Sequence, residues 1–224
     1  KTEQYNSDWR KTFAFNAQHN ITINRRMKMA STISIVYQNG LLSTPFHRVY
    51  FNDGVIDETL KLVRVENLPR QKIKFATTVG QSIFVTPALI LKPSIRLYYD
   101  SWRSAAISAD IEAPIKLSKI ITFYPFYRFH IQSASEYFNP YGETPTYQYY
   151  ATSDYDLSAF YAHKFGLGIQ LNPLYGINII KSKKKYKAFV LDKFNCRIGS
   201  YRRSTKLTAQ FITFGLSFKF NPIR

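Results

Sequence analysis

The chain has 224 residues, long enough for one domain with a sizeable core, and no continuous apolar run of about 18 residues that would cross a bilayer as a helix. The single cysteine, Cys196, excludes an intrachain disulfide, a cysteine-rich zinc site and a redox pair. Lys and Arg number 31 against 14 Asp and Glu, a formal net charge of +17, which is typical of proteins that meet an anionic surface or partner.

Nine segments alternate between apolar and polar residues, which is the two-residue period of a β-strand with one apolar face. In chain order they span about residues 9–23, 27–38, 72–79, 89–99, 104–115, 123–132, 155–171, 189–202 and 207–220. The last is the clearest, because Ile212, Phe214 and Leu216 alternate with Thr213 and Gly215. Such alternation between long polar loops predicts a transmembrane antiparallel β-barrel, although composition alone fits a soluble β-sandwich equally well.

The lengths of the connections predict which side of a membrane each one faces. Short polar turns at Asn24–Arg26 and Leu117–Lys119 belong on the periplasmic side. Segments of about 39–70 and 133–153 then become long extracellular loops of a single domain that spans the chain. Nine is an odd number and the first strand would run inward, so we expect at least one further strand before the first residue. The chain would then be the C-terminal part of a larger barrel.

Three prolines oppose this prediction, because proline donates no hydrogen bond to a strand ladder. Pro93, Pro114 and Pro125 fall inside the fourth, fifth and sixth predicted strands. All three lie toward the predicted periplasmic rim, where a bulged edge would accommodate them.

Both long loops hold more apolar and aromatic residues than a solvated loop requires. Segment 39–70 includes Leu41, Val49 and Phe51, and segment 133–153 is rich in tyrosine. We expect the loops to pack together as a lid over the barrel mouth. The alternative is that their tyrosines dock another protein.

Charged residues on the polar faces of the fourth to sixth strands form the candidate site. Because neighbouring strands are antiparallel, opposite charges on adjacent strands should face each other. The predicted lumen-lining network comprises Lys92, Arg96, Asp110, Glu112, Arg128 and His130. Two roles stay open for it: an ionic network that braces the wall, or a charged constriction that filters solutes by sign.

No catalytic, metal or cofactor site is predicted. The nearest serine and histidine on one strand, Ser158 and His163, differ by five positions and so face opposite sides. The second long loop and its flank offer oxygen ligands for calcium, but their spacing matches no known ligand loop. These carboxylates are Glu136, Glu143, Asp154 and Asp156. We therefore expect a protein that is not an enzyme.

The positive charge is expected at turns, loops and strand ends, where it would meet lipopolysaccharide phosphates, anionic headgroups or an acidic partner. The alternative is a solvated basic rim with no specific partner. Nucleic-acid binding is disfavoured, because the aromatic residues lie on the apolar faces of the strands and RNP-like motifs are absent. The expected partners are outer-membrane lipid, lipopolysaccharide and other outer-membrane or periplasmic proteins.

Six stretches in order along nearly the whole chain carry a resemblance to a known family. They are Ser43–Phe51, Glu66–Pro69, Tyr98–Trp102, Tyr124–Arg128, Thr152–Phe160 and Gly166–Gly168. They resemble the uncharacterised outer-membrane barrel proteins common in Bacteroidota, which are catalogued only as a domain of unknown function. The resemblance implies a barrel fold, an outer-membrane location and relatives that are longer at the N-terminal side, and it implies no activity.

These patterns together predict an all-β protein of the bacterial outer membrane. The favoured function is that of a non-catalytic scaffold or subunit of an envelope complex. The alternative is a porin-like channel or transporter for small solutes.

Overall fold

The structure is a computed structural model in which residues 8–54, 62–173, 177–181 and 188–221 are described. The fold is all-β, and in that part of the chain one short 3₁₀ helix, Tyr155–Leu157, interrupts the strands. None of the described helices has the length and apolarity needed to cross a membrane. The strands in chain order are β1 (Arg10–Asn24), β2 (Met27–Gly40), β3 (Arg48–Asn52), β4 (Val63–Val65), β5 (Gln71–Phe84), β6 (Ile90–Asp100), β7 (Ala105–Glu112), β8 (Ile115–Lys116), β9 (Ile121–Gln132), β10 (Thr144–Pro145), β11 (Phe160–Leu171), β12 (Ile177–Lys181), β13 (Ala188–Arg203) and β14 (Thr208–Asn221).

Eleven of these strands form one antiparallel sheet. Its principal strands follow the order β1-β2-β5-β6-β7-β9-β11-β13-β14, and the short strands β8 and β12 pair with β9 and β13. Within the described residues β1 and β14 are each paired on one side only, so the sheet is open. The sheet is curved, since Asn20 and Thr22 of β1 line the same cavity as Phe211 and Thr213 of β14.

The nine alternating segments predicted from the sequence correspond to the nine principal strands, with two notable differences at their ends. The predicted third strand, 72–79, continues to Phe84 as β5. The predicted seventh strand begins at Phe160 instead of near Tyr155, because Asp154 caps the 3₁₀ helix and accepts a hydrogen bond from the Asp156 backbone N–H at 2.8 Å. A short polar side chain that bonds its own backbone in this way favours a turn over a strand.

The three prolines are accommodated in two ways. Pro93 and Pro125 lie within β6 and β9, whereas Pro114 separates β7 from β8 and interrupts the continuous fifth strand that the sequence predicts. The proline carbonyls still accept hydrogen bonds: Ile90 N–H donates to Pro114 O and Ala113 N–H donates to Pro125 O, both at 3.0 Å. Because proline lacks only the donor, the neighbouring strands stay attached at these carbonyls.

One face of the sheet carries apolar side chains that are exposed on every principal strand. Phe214 is 66% exposed and Ile212 is 59% exposed, although both are large and apolar. Their counterparts on the other strands include Phe13, Phe15, Ile33, Ile35, Ile73, Phe75, Ile95, Leu97, Ile107, Ile111, Ile131, Leu167, Ile169 and Ile198. The opposite, concave face holds the polar alternate positions. In the described part of the chain, no second layer covers the apolar face.

The described parts of the two long loops, residues 41–54, 62–70 and 133–158, pack on each other in a unit that we call the cap. In the cap β3 pairs with both β4 and β10, and Asn67 forms a bridge with Ala151. Its buried apolar cluster consists of Val49, Phe51 and Ala151. The Ser135 hydroxyl donates to Trp102 O at 3.2 Å and attaches the cap to the end of β6. Residues 55–61 of the predicted first loop lie outside the described residues.

Glu66 joins the two loops of the cap. Its side chain is 3% exposed, and its carboxylate accepts hydrogen bonds from Thr44 N–H at 2.6 Å and from the Thr152 hydroxyl. His47 Nδ1 lies 3.5 Å from the same carboxylate. Thr44 and His47 belong to the first loop and Thr152 to the second, so one buried anion holds segments that are far apart in sequence. Hydrogen bonds to an ionised acceptor are stronger than neutral ones.

We expect Glu66→Ala to loosen the cap while leaving the main sheet intact. The change leaves the half-buried Thr44 N–H and the buried Thr152 hydroxyl without their shared partner, at a cost of about 1–3 kcal/mol for the buried hydroxyl. Limited proteolysis in detergent should show faster cleavage within 41–70 and 133–158. The matched control is Glu143→Ala, which removes an exposed carboxylate from the other loop of the cap. Equal cleavage rates for the two variants would contradict this role of Glu66.

Candidate functional site

The concave face of the sheet places the predicted charged residues in three adjoining rows. In the first row Lys92 of β6 is opposite Glu112 of β7. In the second, Asp110 of β7 is opposite Arg128 of β9, which is in turn opposite Lys164 of β11. The third row contains Arg96, Ser108, His130 and Ala162. All six residues of the predicted network therefore share one face, because alternate positions of paired strands point to the same side.

Ion pairs link four strands across this face. Arg128 Nε donates to Asp110 Oδ1, while Lys92 Nζ lies 3.7 Å from Glu112 Oε1. Glu112 Oε2 also accepts a hydrogen bond from Arg197 Nη2 of β13 at 3.0 Å. Every one of these side chains is at least a quarter or so exposed, so each pair contributes only about 0–1 kcal/mol.

His130 takes part in a chain of hydrogen bonds that the sequence did not predict. Its Nδ1 lies 2.8 Å from the Ser108 hydroxyl, and its Nε2 lies 3.2 Å from Gln132 Oε1. Gln132 Nε2 donates in turn to the backbone oxygens of Asp156 and Ser158, at 2.9 and 2.8 Å. A serine and a histidine are thus in contact, but Gln132 is a neutral amide and cannot stabilise an imidazolium as a carboxylate does.

The Ser158 and His163 side chains, which the sequence placed on opposite faces, make separate contacts. The Ser158 hydroxyl donates to Tyr155 O at 2.7 Å, and His163 Nδ1 lies 2.8 Å from the Tyr127 hydroxyl. The serine that does meet a histidine is Ser108, which lies directly opposite His130. The register of β7 against β9 places Ser108 opposite His130, whereas positions along a single strand do not show which residues of two strands face each other.

Two adjoining cavities open on the charged face, with volumes of about 930 and 490 Å³. Asp110, Arg128 and Lys164 line both of them. The charged residues around the larger cavity are Lys28, Lys92, Arg128, Lys164, Arg197, Asp110 and Glu112. Five are cationic and two are anionic, so this lining carries an excess of three positive charges. The two carboxylates are already shared among Arg128, Lys92 and Arg197.

Lys164 is one of three lining cations, with Lys28 and Arg197, that the predicted network lacked. Lys164 lies two residues before Gly166 in β11, and so it shares a face with Gly166, Gly168 and Gln170. Its Nζ is 4.6 Å from the centre of the Phe211 ring, a cation–π contact. Extending that alternation by one step along the strand would have found it.

Aromatic rings fill the concave face beside the larger cavity, and glycines make room for them. Phe126 and Phe211 lie with ring centres 6.3 Å apart, and the Arg197 guanidinium lies 5.8 Å from the Phe126 ring. A Cβ at Gly199 would be 2.5 Å from Phe211 Cζ and 2.7 Å from the Phe165 carbonyl oxygen. A Cβ at Gly166 would be 2.7 Å from Phe126 Cζ.

A buried charge pair closes the cap end of the same face. Lys72 Nζ lies 2.9 Å from Asp100 Oδ2, and the two side chains are 7% and 1% exposed. Asp100 also accepts hydrogen bonds from the Tyr98 hydroxyl at 2.7 Å and from Trp102 N–H at 2.9 Å. The Lys72 ammonium lies 3.8 Å from the centre of the Trp102 ring. Each charge here has several partners, which a buried pair requires, and the cluster is structural.

Three of the four carboxylates considered for calcium are engaged separately. Glu136 pairs with Arg103 at 3.0 Å, Asp156 pairs with Arg203 at 2.7 Å, and Asp154 caps the 3₁₀ helix. Across the described residues no three His, Cys, Asp or Glu side chains come together in a group that could hold a metal ion.

Comparison with known proteins identifies the family but adds no activity. The family described as "Protein of unknown function (DUF3570)" matches residues 1–218. The chain belongs to this family. No curated protein matches it. The function of this family member has therefore to be argued from the two faces of its sheet.

We expect Gly199→Ala to destabilise the sheet by about 1–3 kcal/mol, because the added methyl group meets a backbone carbonyl that cannot move aside. Urea unfolding in detergent micelles, followed by intrinsic fluorescence, would measure the change. Gly80→Ala is the matched control on the same face, since its Cβ would be 3.4 Å from Ser94 Cβ, an ordinary contact. Equal midpoints for the two variants would show that the fit between Gly199 and Phe211 is unimportant.

Proposed function

We propose that this protein is an integral bacterial outer-membrane protein whose curved sheet forms the wall of a transmembrane β-barrel. One observation supports this most: all nine principal strands expose large apolar side chains on the convex face. Burial in an apolar medium favours each such side chain by about 1.5–3 kcal/mol. A hydrocarbon layer supplies that medium where the described part of the chain offers no second layer of protein.

Closure of the sheet follows from the same proposal. Lipid cannot hydrogen-bond the free N–H and C=O groups along β1 and β14, so a spanning sheet must have no open edge. Curvature already brings both strands to the walls of one cavity. We propose that β1 and β14 pair with each other or with further strands to complete the barrel.

Within the envelope, we propose a non-catalytic role as a scaffold or subunit of a larger complex. The cap supports this role because it exposes aromatic rings: Tyr147 is 88% exposed and Tyr149 is 73% exposed. Tyrosine is enriched at protein–protein interfaces. Outer-membrane or periplasmic proteins are the proposed partners, and the net charge of +17 favours contact with lipopolysaccharide and anionic lipid.

A porin-like channel is the second candidate, and the concave face is what favours it. The two adjoining cavities are lined by charged and polar side chains drawn from the nine principal strands. In this candidate function the charged rows would border the path of a solute.

Lipid contact can be tested with tryptophan at two neighbouring positions of β14. In a background where Trp9 and Trp102 are phenylalanine, Phe214→Trp places the probe on the convex face and Thr213→Trp places it on the concave face. In vesicles of brominated lipid we expect strong quenching of the first probe and weak quenching of the second. Equal quenching, or a protein that stays folded and monomeric in buffer without detergent, would overturn the membrane proposal.

Purification from native membranes separates the two candidate functions. A scaffold or subunit should copurify with other proteins in fixed stoichiometry, and those proteins should be lost when Tyr147 and Tyr149 are changed to serine. A channel should purify alone and conduct ions in a planar bilayer. The matched control for the tyrosines is Tyr161→Ser, a half-exposed tyrosine of β11 outside the cap. Lone, non-conducting protein would contradict both functions.

A further inference from the structure

The smaller cavity is lined by more cations than carboxylates. Arg96 of β6, Arg128 of β9 and Lys164 of β11 all line it, and Asp110 is the one carboxylate in its lining. Asp110 is bound to Arg128. Among the described residues, no carboxylate lies within ion-pair distance of Arg96 or Lys164. The lining therefore carries an excess of two positive charges.

The register makes this arrangement costly to the protein when the cavity holds only water. Arg128 and Lys164 are directly opposite each other across β9 and β11. Like charges in such positions destabilise a sheet, and Asp110 can offset only part of their repulsion. Bracing of the wall explains the Arg128–Asp110 pair, but it does not explain Arg96 or Lys164.

One free neutral donor completes the cavity. The Tyr201 hydroxyl in its lining has no hydrogen-bond partner among the described residues, whereas the Ser108 hydroxyl is bonded to His130 Nδ1 at 2.8 Å. The Tyr98 hydroxyl, by contrast, is committed to Asp100. Guanidinium, ammonium and hydroxyl groups converging on one space match the needs of an oxyanion, which accepts hydrogen bonds at several oxygens.

We propose that this cavity is a binding site for a small soluble oxyanion that carries two or more negative charges, such as a phosphate or a short polycarboxylate. The volume of about 490 Å³ accommodates a ligand of this size. Arg96, Arg128 and Lys164 supply the charge, and the Tyr201 hydroxyl supplies a neutral hydrogen bond. The site lies on the concave face, opposite the convex face proposed to contact lipid. If the protein is the channel of the second candidate function, the site also selects anions over cations. Only this selectivity rests on the proposed channel; the binding of an oxyanion does not.

Binding of inorganic phosphate to the purified full chain in detergent micelles tests the site directly. Isothermal titration should show saturable binding to the wild type, with chloride as the monovalent comparison. The double variant Arg96→Gln/Lys164→Gln should bind phosphate at least about tenfold more weakly, since it loses two charged hydrogen-bond donors. The control Arg25→Gln/Lys119→Gln removes the same charge from exposed turns and should bind as the wild type does.

Asp110→Asn provides a variant with the opposite expected effect. It removes the lining carboxylate and frees Arg128, so phosphate should bind more tightly than to the wild type. Absence of saturable binding to the wild type, or equal affinity in the wild type and the Arg96/Lys164 variant, would overturn the proposal. Neutralising Arg96 and Lys164 breaks no ion pair, and single Lys164→Gln serves if the double variant does not fold.

Planar bilayers then separate failure of the site from failure of the proposed channel. Under a salt gradient the wild-type channel should be anion-selective, and the reversal potential of the Arg96/Lys164 variant should shift toward cation selectivity. A silent bilayer combined with phosphate binding in micelles would refute the channel and support the site. A conducting protein that binds no phosphate in micelles would refute the site.

Discussion

The two-residue period of the strands imposes the constraint on which the rest of this structure depends. It sorts each principal strand into an apolar face and a polar face, and pairing of neighbouring strands joins these into two continuous surfaces. The apolar surface remains exposed in the described chain, with Phe214 and Phe13 each about two-thirds uncovered. Folding of the described residues does not remove this surface from water, and this is the reason why we propose that a bilayer covers it. A bilayer would also forbid open edges such as those of β1 and β14.

The polar surface obeys the same geometry but serves a different purpose. Its ion pairs are partly exposed and contribute little stability, whereas the buried Lys72–Asp100 pair near the cap is satisfied by several partners. In the middle of the polar surface, Arg96 and Lys164 belong to neither group, because they have no ionic partner among the described residues. Lys164 contacts the Phe211 ring, and both cations belong to the proposed oxyanion site.

The cap shows how the two long loops acquire structure that neither could hold alone. Strand β3 of the first loop pairs with β10 of the second, and Glu66 accepts hydrogen bonds from both loops. Burial and the neighbouring Glu136 carboxylate raise the pKa of Tyr137 in this unit to about 12, so its hydroxyl stays protonated at neutral pH. The exposed rings of Tyr147 and Tyr149 lie outside that packed core. A rigid base with projecting aromatic rings is suited to contact with another protein.

The strands and their faces were readable from the sequence, because the strand period is a local property: Ile212 and Phe214 alternate with Thr213 whatever the rest of the chain does. For the same reason all six predicted charged residues share one face. Contacts between distant strands depend on register and curvature, which local patterns do not encode. Only the tertiary structure therefore brings Arg197 to Glu112, 85 residues away, and places Ser108 opposite His130. It also decided that Pro114 interrupts the strand and that Lys164 supplies the cation opposite Arg128, since these depend on how neighbouring backbones align.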